Sequence, residues 1–130
     1  MKTMKKVKVS EASGVVLDWL VGMAQGYELN LYGVDPSIRA RVPGLGGVHA
    51  PWAPSRYWNQ GGPIMEREVI HTWTDLKDAA YLGHPYEFWV ASTASDMSPL
   101  LWGPTKLIAA MRCYVASKLG DEIEVPEELL

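Results

Sequence analysis

The chain has 130 residues and a mass of 14.4 kDa, with 48% hydrophobic and 21% charged residues and 12 Lys and Arg against 15 Asp and Glu, a formal net charge of -3. A chain of this size buries about two thirds of its extended surface in one domain without disulfide or metal staples. The apolar content and the single cysteine, Cys113, exclude disorder, collagen-like repeats and a disulfide scaffold, and a pI near 5.6 argues against a protein whose main work is neutralising phosphates.

Lys2, Lys5, Lys6 and Lys8 make the start basic, and Asp121, Glu122, Glu124, Glu127 and Glu128 make the end acidic. We read them as solvated ends that attract each other in the fold rather than as a nucleic-acid arm. No apolar run with a cleavage site follows the basic start, and the longest apolar stretch, Val15 to Met23, is broken by Asp18. It falls far short of the roughly 20 residues that span a bilayer, so a cytoplasmic protein without a membrane segment is expected. One free cysteine fits a reducing compartment.

Ser10 is placed to cap a helix over about 11–25, in which Val15, Val16, Trp19, Leu20 and Met23 recur at helical spacing while Asp18 and Gln25 are left for solvent. Gly26 ends it, and alternation over Tyr27 to Leu31 predicts a strand. From Val34 to Gly62, four prolines and five glycines predict a long irregular loop, the first place to look for a site. Val69 to Thr74 and Phe88 to Ser92 read as strands, Asp75 to Leu82 as one or two helical turns, and Gly83, His84 and Pro85 as a turn. The clearest helix runs over about 104–119: Leu107, Ile108, Met111, Tyr114, Val115 and Leu119 share one side, Lys106, Arg112 and Lys118 take others, and Gly120 stands at the C-cap. Ile123 and Val125 suggest a short extended segment. The expected fold is a single α+β domain, a small, mostly antiparallel sheet packed with two main helices and a long Pro/Gly-rich loop.

Three blocks carry a family resemblance: VKVSEASGVVLDWLVGMAQG from Val7 to Gly26, PSRYWNQGGPIMERE from Pro54 to Glu68, and GPTKLIAAMRCYVASKLGDEIEVPEELL from Gly103 to Leu130. They resemble small proteins of tailed phages and prophages related to the phage protein NinX. The last block is the most specific, a long ungapped match to GPT-x-LIAAMR-x-YVASK-x-GDE-x-EVP. The resemblance implies a phage or prophage origin and a cytoplasmic accessory protein, and it lends no catalytic residues.

The strongest local signal for chemistry is Arg56, Tyr57, Trp58, Asn59, Gln60, Gly61 and Gly62, followed by Pro63. Rings that stack, amides that hydrogen-bond and a guanidinium that grips carboxylate or phosphate stand together ahead of a predicted Gly-Gly turn. Such a mixture suits a planar anion, and it equally suits a structural corner with Trp58 in the core and Asn59 and Gln60 capping strand ends. The six tryptophans exceed what a small core takes up, so some should line a groove or interface, while Trp19, Trp73 and Trp89 are read as core. His49, His71 and His84 are far apart and no metal-binding spacing occurs, and Cys113, among Ala109, Ala110, Ala116 and Ser117, reads as a small core side chain. No metal or cofactor is implied. Glu66 and Glu68 share a face if their segment is extended, which would suit acid/base work; a solvated face, or pairing with Arg56 or Arg112, serves equally.

Three functional classes follow. The first is a non-enzymatic binding module for a small polar-aromatic ligand or a host protein, with a homodimer expected from surplus apolar surface. The second is a small enzyme acting on a nucleotide or sugar phosphate through Glu66, Glu68 and Arg56. The third is a structural or DNA-transaction partner using the Lys-rich start.

Overall fold

The computed structural model describes residues 3–32, 37–43, 48–75, 89–93 and 99–130. The chain forms strand β1 (Met4–Lys8), a 3-10 turn at Val9–Glu11, helix α1 (Gly14–Gln25), strands β2 (Glu28–Tyr32), β3 (Ser37–Arg41) and β4 (His49–Pro51), and helix α2 (Trp58–Arg67). Strands β5 (Ile70–Thr74), β6 (Trp89–Thr93) and β7 (Leu100–Gly103), helix α3 (Lys106–Leu119) and strand β8 (Glu122–Pro126) complete it. The strands pair as three small antiparallel sheets, β1-β8, β2-β3-β4 and β5-β6-β7, so the fold is α+β as expected.

Helix α3 is the centre of the core. One side lies on β5, β6 and β7 and the other meets α1. Leu17, Leu20 and Val21 of α1 and Ala109, Ala110, Met111, Cys113 and Val115 of α3 are sealed from solvent. The small side chains at 109, 110 and 113 let the helix sit close to its neighbours. Gly103 extends this closeness to β7, because a Cβ there would stand 2.7 Å from the Ala109 nitrogen. At the chain ends, β1 and β8 pair Lys6 with Glu124 and Lys8 with Glu122, and Lys6 Nζ reaches Glu122 at 3.9 Å. The opposite charges read from the sequence therefore meet.

Several expectations require correction. Helix α1 starts at Gly14 behind Ser13, and Ser10 lies in the preceding 3-10 turn, so it caps nothing. The stretch from Val34 to Gly62 is not all loop. Ser37–Arg41 alternates exposed and buried residues around Ile38 and Ala40, as a half-buried strand does, and α2 begins at Trp58. The Gly-Gly pair is therefore helical. Pro63 sits inside α2 and removes one backbone donor, which would have served the carbonyl of exposed Asn59. Asp18 and Arg112 are buried rather than solvent-facing. The helical turns expected at Asp75 to Leu82 and the turn at Gly83 to Pro85 lie outside the described residues, apart from Asp75.

Val69, between α2 and β5, adopts φ 53 and is 58% exposed. A β-branched residue is strained in this left-handed region, whereas glycine is not. Val69→Gly should therefore raise stability by about 1 kcal/mol, net of the entropy glycine adds to the unfolded chain. The check is a higher urea midpoint at unchanged slope; an unchanged or lower midpoint contradicts the strain.

Candidate functional site

The candidate site is built on a segment, 52–57, that the fold pins from below. Trp52 is buried, its indole nitrogen donates to the Asp18 carbonyl at 2.9 Å, and its ring meets Tyr27 edge-on at 5.2 Å. The Ser55 amide donates to Asp18 Oδ1 at 2.8 Å. Gln60 reaches back from α2, accepting from the Ala53 amide and donating to the Pro51 carbonyl, each at 2.7 Å. Gly61 allows α2 to lie against this segment, since a Cβ there would collide with the Pro54 carbonyl oxygen and stand 2.8 Å from Leu107.

This scaffold divides the predicted cluster. Gln60 and Gly61 are structural, and Gly62 lies within the helix against the Trp58 ring. Arg56, Tyr57, Trp58 and Asn59 face outward, with Trp58 54% and Tyr57 48% exposed. A core role for Trp58 is thus not what the fold uses.

Opposite them stands the first turn of α3. Ser55, Arg56 and Trp58 on one wall and Thr105, Lys106, Leu107 and Ile108 on the other enclose a cleft of about 320 Å³. Thr105 caps the helix, its Oγ1 accepting from the Ile108 amide at 3.1 Å. Lys106 Nζ stands over the Trp58 ring at 5.7 Å and the Trp89 ring at 6.0 Å, and the Arg56 guanidinium stands over Tyr57 at 5.6 Å. Among the described residues neither cation has a carboxylate ion-pair partner. The two walls come from the second and third blocks of the family resemblance. In the sequence Thr105 and Lys106 mark only the start of a helix and Ser55 carries no signal of its own, because nothing local to either segment announces its partner about 50 residues away.

Beneath the cleft lies Asp18, 1% exposed. Burial pushes its carboxyl up from 3.8 to about 6, against the lowering effects of Ser55 and of the Arg56 charge. The buried Ser55 hydroxyl stands beside that carboxyl without the geometry of a hydrogen bond.

The residues of the enzyme reading are not brought together. Arg56 precedes α2, while Glu66 and Glu68 lie at its far end, roughly 15 Å away along a helix of 10 residues. The segment is helical there, so the shared extended face does not form. Glu68 instead accepts from Arg67 and Lys118, both at 2.9 Å, tying α2 to the end of α3. Those hydrogen bonds, Lys118's first, lower the Glu68 pKa. The structural pairing expected for this glutamate thus exists with different cations. Burial pushes the Cys113 thiol up to about 12, so it stays protonated. Among the described residues no three His, Cys, Asp or Glu side chains gather as a metal site, and no helix is long and apolar enough to cross a membrane. A separate groove of about 490 Å³ runs beside Lys5, Lys6 and Lys8, with Glu11 in its wall.

The family model described as Bacteriophage P22, NinX matches residues 8–118, and the chain belongs to that family. Comparison with curated proteins finds no match.

Proposed function

Starting from membership in this phage family, we propose that the protein is a non-enzymatic accessory module that binds a small polar-aromatic ligand in the cytoplasm of a bacterial host. The observation that carries this reading is the cleft between α2 and α3, where an exposed tryptophan ring and two cations that form no ion pair with a carboxylate among the described residues face the same 320 Å³ space. That volume is at the lower end of the range for small-molecule sites. Aromatic and guanidinium groups supply contact area and charge at low entropic cost. The separation of Arg56 from Glu66 and Glu68 favours binding over catalysis.

Native mass spectrometry of protein purified from its host tests the reading. The expected result is a retained small molecule that is lost in Trp58→Ala and Arg56→Ala, with each exposed substitution changing stability by less than about 0.5 kcal/mol. Variants that only lower the melting temperature, with no ligand retained by the parent, would leave the segment a structural corner. We also propose a two-fold homodimer, supported by exposed apolar side chains outside the cleft such as Met4, Met23 and Leu100. The same spectra count subunits, and a monomer at all concentrations overturns that part.

A further inference from the structure

We propose that the free edge of β1 takes up an extended acidic peptide segment of another protein as an added strand. This surface lies apart from the cleft between α2 and α3, and the proposal stands independently of the reading of that cleft.

The hydrogen bonds of the terminal sheet show which backbone groups are open. The Val9 amide donates to the Asp121 carbonyl and the Glu127 amide to the Thr3 carbonyl, each at 2.9 Å. Both bonds continue the antiparallel register in which Lys5 faces Val125 and Val7 faces Ile123. Hydrogen-bonded and non-bonded pairs alternate in such a ladder, so Thr3, Lys5, Val7 and Val9 direct their backbone groups at β8. The amides and carbonyls of Met4, Lys6 and Lys8 point the other way, and among the described residues no strand besides β8 pairs with β1. The outer edge of β8 differs, because Pro126, opposite Met4, stands in the corresponding outward position and has no amide to donate.

A groove of about 490 Å³ follows the open edge, meeting Lys5, Lys6, Val7 and Lys8 in succession. Successive side chains point to opposite faces, so a groove that meets all of them runs along the strand rather than over one face. Ala12, Val16 and Leu130 give it apolar surface. The two faces of the sheet differ in character: Val7, Ile123 and Val125 pack toward the core, whereas Lys6, Lys8, Glu122 and Glu124 are exposed on the other. A strand added at this edge places alternate side chains beside Val7, Val16 and Leu130 and the intervening ones beside Lys6 and Lys8. The first set suits apolar residues and the second suits Glu or Asp.

Charge selects the occupant. Two copies of β1 meeting about a two-fold axis at Lys6 would set that lysine against its own counterpart, the repulsion by which edge lysines keep identical chains apart. An acidic strand meets the same lysines as a complement. A nucleic-acid backbone brings phosphate acceptors alone, which leaves the outward carbonyls of Met4, Lys6 and Lys8 unmatched, and Glu11 in the groove repels it. A peptide backbone supplies donors and acceptors in the alternation that the edge presents.

The test titrates the full chain with a short, acetylated and amidated peptide alternating glutamate and valine, and follows the backbone amides by NMR and hydrogen exchange. The Lys6 and Lys8 amides should shift saturably and exchange more slowly in the complex, while those of Lys5 and Val7, already directed at β8, keep their protection. The same peptide with every amide N-methylated should bind at least about tenfold more weakly, as the loss of main-chain hydrogen bonds requires, and a lysine-for-glutamate peptide should leave the amides unmoved. Lys6→Pro removes an outward donor without touching a bond to β8 and should weaken the peptide at least about tenfold, whereas Lys106→Gln, in the other cleft, should leave it unchanged. Should Lys6→Pro fail to fold, the methylated peptide decides by itself. Unmoved Lys6 and Lys8 amides, or equal binding by the methylated or the lysine peptide, overturn the proposal. So do an oligothymidylate that shifts these amides at lower concentration than the peptide, which makes the edge a nucleic-acid surface, and shifts of the same amides on diluting the chain alone, which give the edge to a second copy.

Discussion

Arg112→Ala should lower the free energy of unfolding by about 3–5 kcal/mol, a large share of the roughly 5–15 kcal/mol that holds a domain of this kind together. Arg112 lies in the middle of α3 and is 2% exposed. Its Nε donates to the Ala12 carbonyl at 2.7 Å and its Nη1 to the Trp102 carbonyl at 2.8 Å. One guanidinium therefore joins α3 to the segment entering α1 and to β7, the strand that leads into the cleft's second wall. Alanine leaves two carbonyls without this donor and opens a cavity the length of the side chain, and the two losses add. Arg112→Lys keeps the charge and loses the fork geometry, so an intermediate loss is expected. Chemical denaturation of the three proteins measures the series, and a loss below about 1 kcal/mol for alanine would contradict the role assigned to this residue.

Asp18 should give the protein a pH dependence that Asp18→Asn removes. Burial raises its pKa from 3.8 to about 6 in the folded state. The folded carboxyl thus holds its proton to a higher pH than the unfolded one. Its contribution is whole below about pH 4 and is lost as pH rises through about 6, a fall of about 3 kcal/mol. Other groups titrate over the same range, Glu68 with the opposite sign because its pKa is lowered. The relevant quantity is therefore the difference between parent and Asp18→Asn, measured by urea unfolding from pH 4 to pH 8. Over that range the difference should move in favour of the asparagine variant by about 2 kcal/mol as pH rises, and parallel curves would contradict the burial argument. Asp18→Ala also removes the acceptor for the Ser55 amide and should be about 1–3 kcal/mol less stable than Asp18→Asn at every pH.

Asp18 and Arg112 also mark where the sequence was hardest to read. Both are charged residues within amphipathic helices, and local periodicity assigns such residues to solvent. Their partners are 37 and 100 residues away, Ser55 for Asp18 and Ala12 for Arg112. No local pattern carries that information. Helix α3 was legible because its apolar periodicity, the Gly103-Pro104 entry and Gly120 agree with one another. Strands β2, β5 and β6 were legible from alternation or β-branched and aromatic runs. Helix α2 was missed because Gly61, Gly62 and Pro63 have low helix propensity, and here tertiary contact overrides propensity. Gly61 is buried under Pro54 and Leu107, where only a residue without Cβ fits.

Composition alone drew attention to Arg56, Tyr57, Trp58 and Asn59, and these do face outward. It also grouped with them Gln60 and Gly61, which serve the scaffold. The opposite wall, Thr105 to Ile108, was hidden by sequence distance. Its one trace was that both walls belong to segments that resemble the same phage family.

The account depends most on the cleft between α2 and α3 being the place where another molecule sits. The most direct measurement compares the amide and indole resonances of protein as isolated from its host with those of the same protein unfolded, stripped of small molecules and refolded. The account predicts differences concentrated at Arg56, Trp58, Lys106 and Leu107. Superimposable spectra, or differences confined to other parts of the chain, would contradict it.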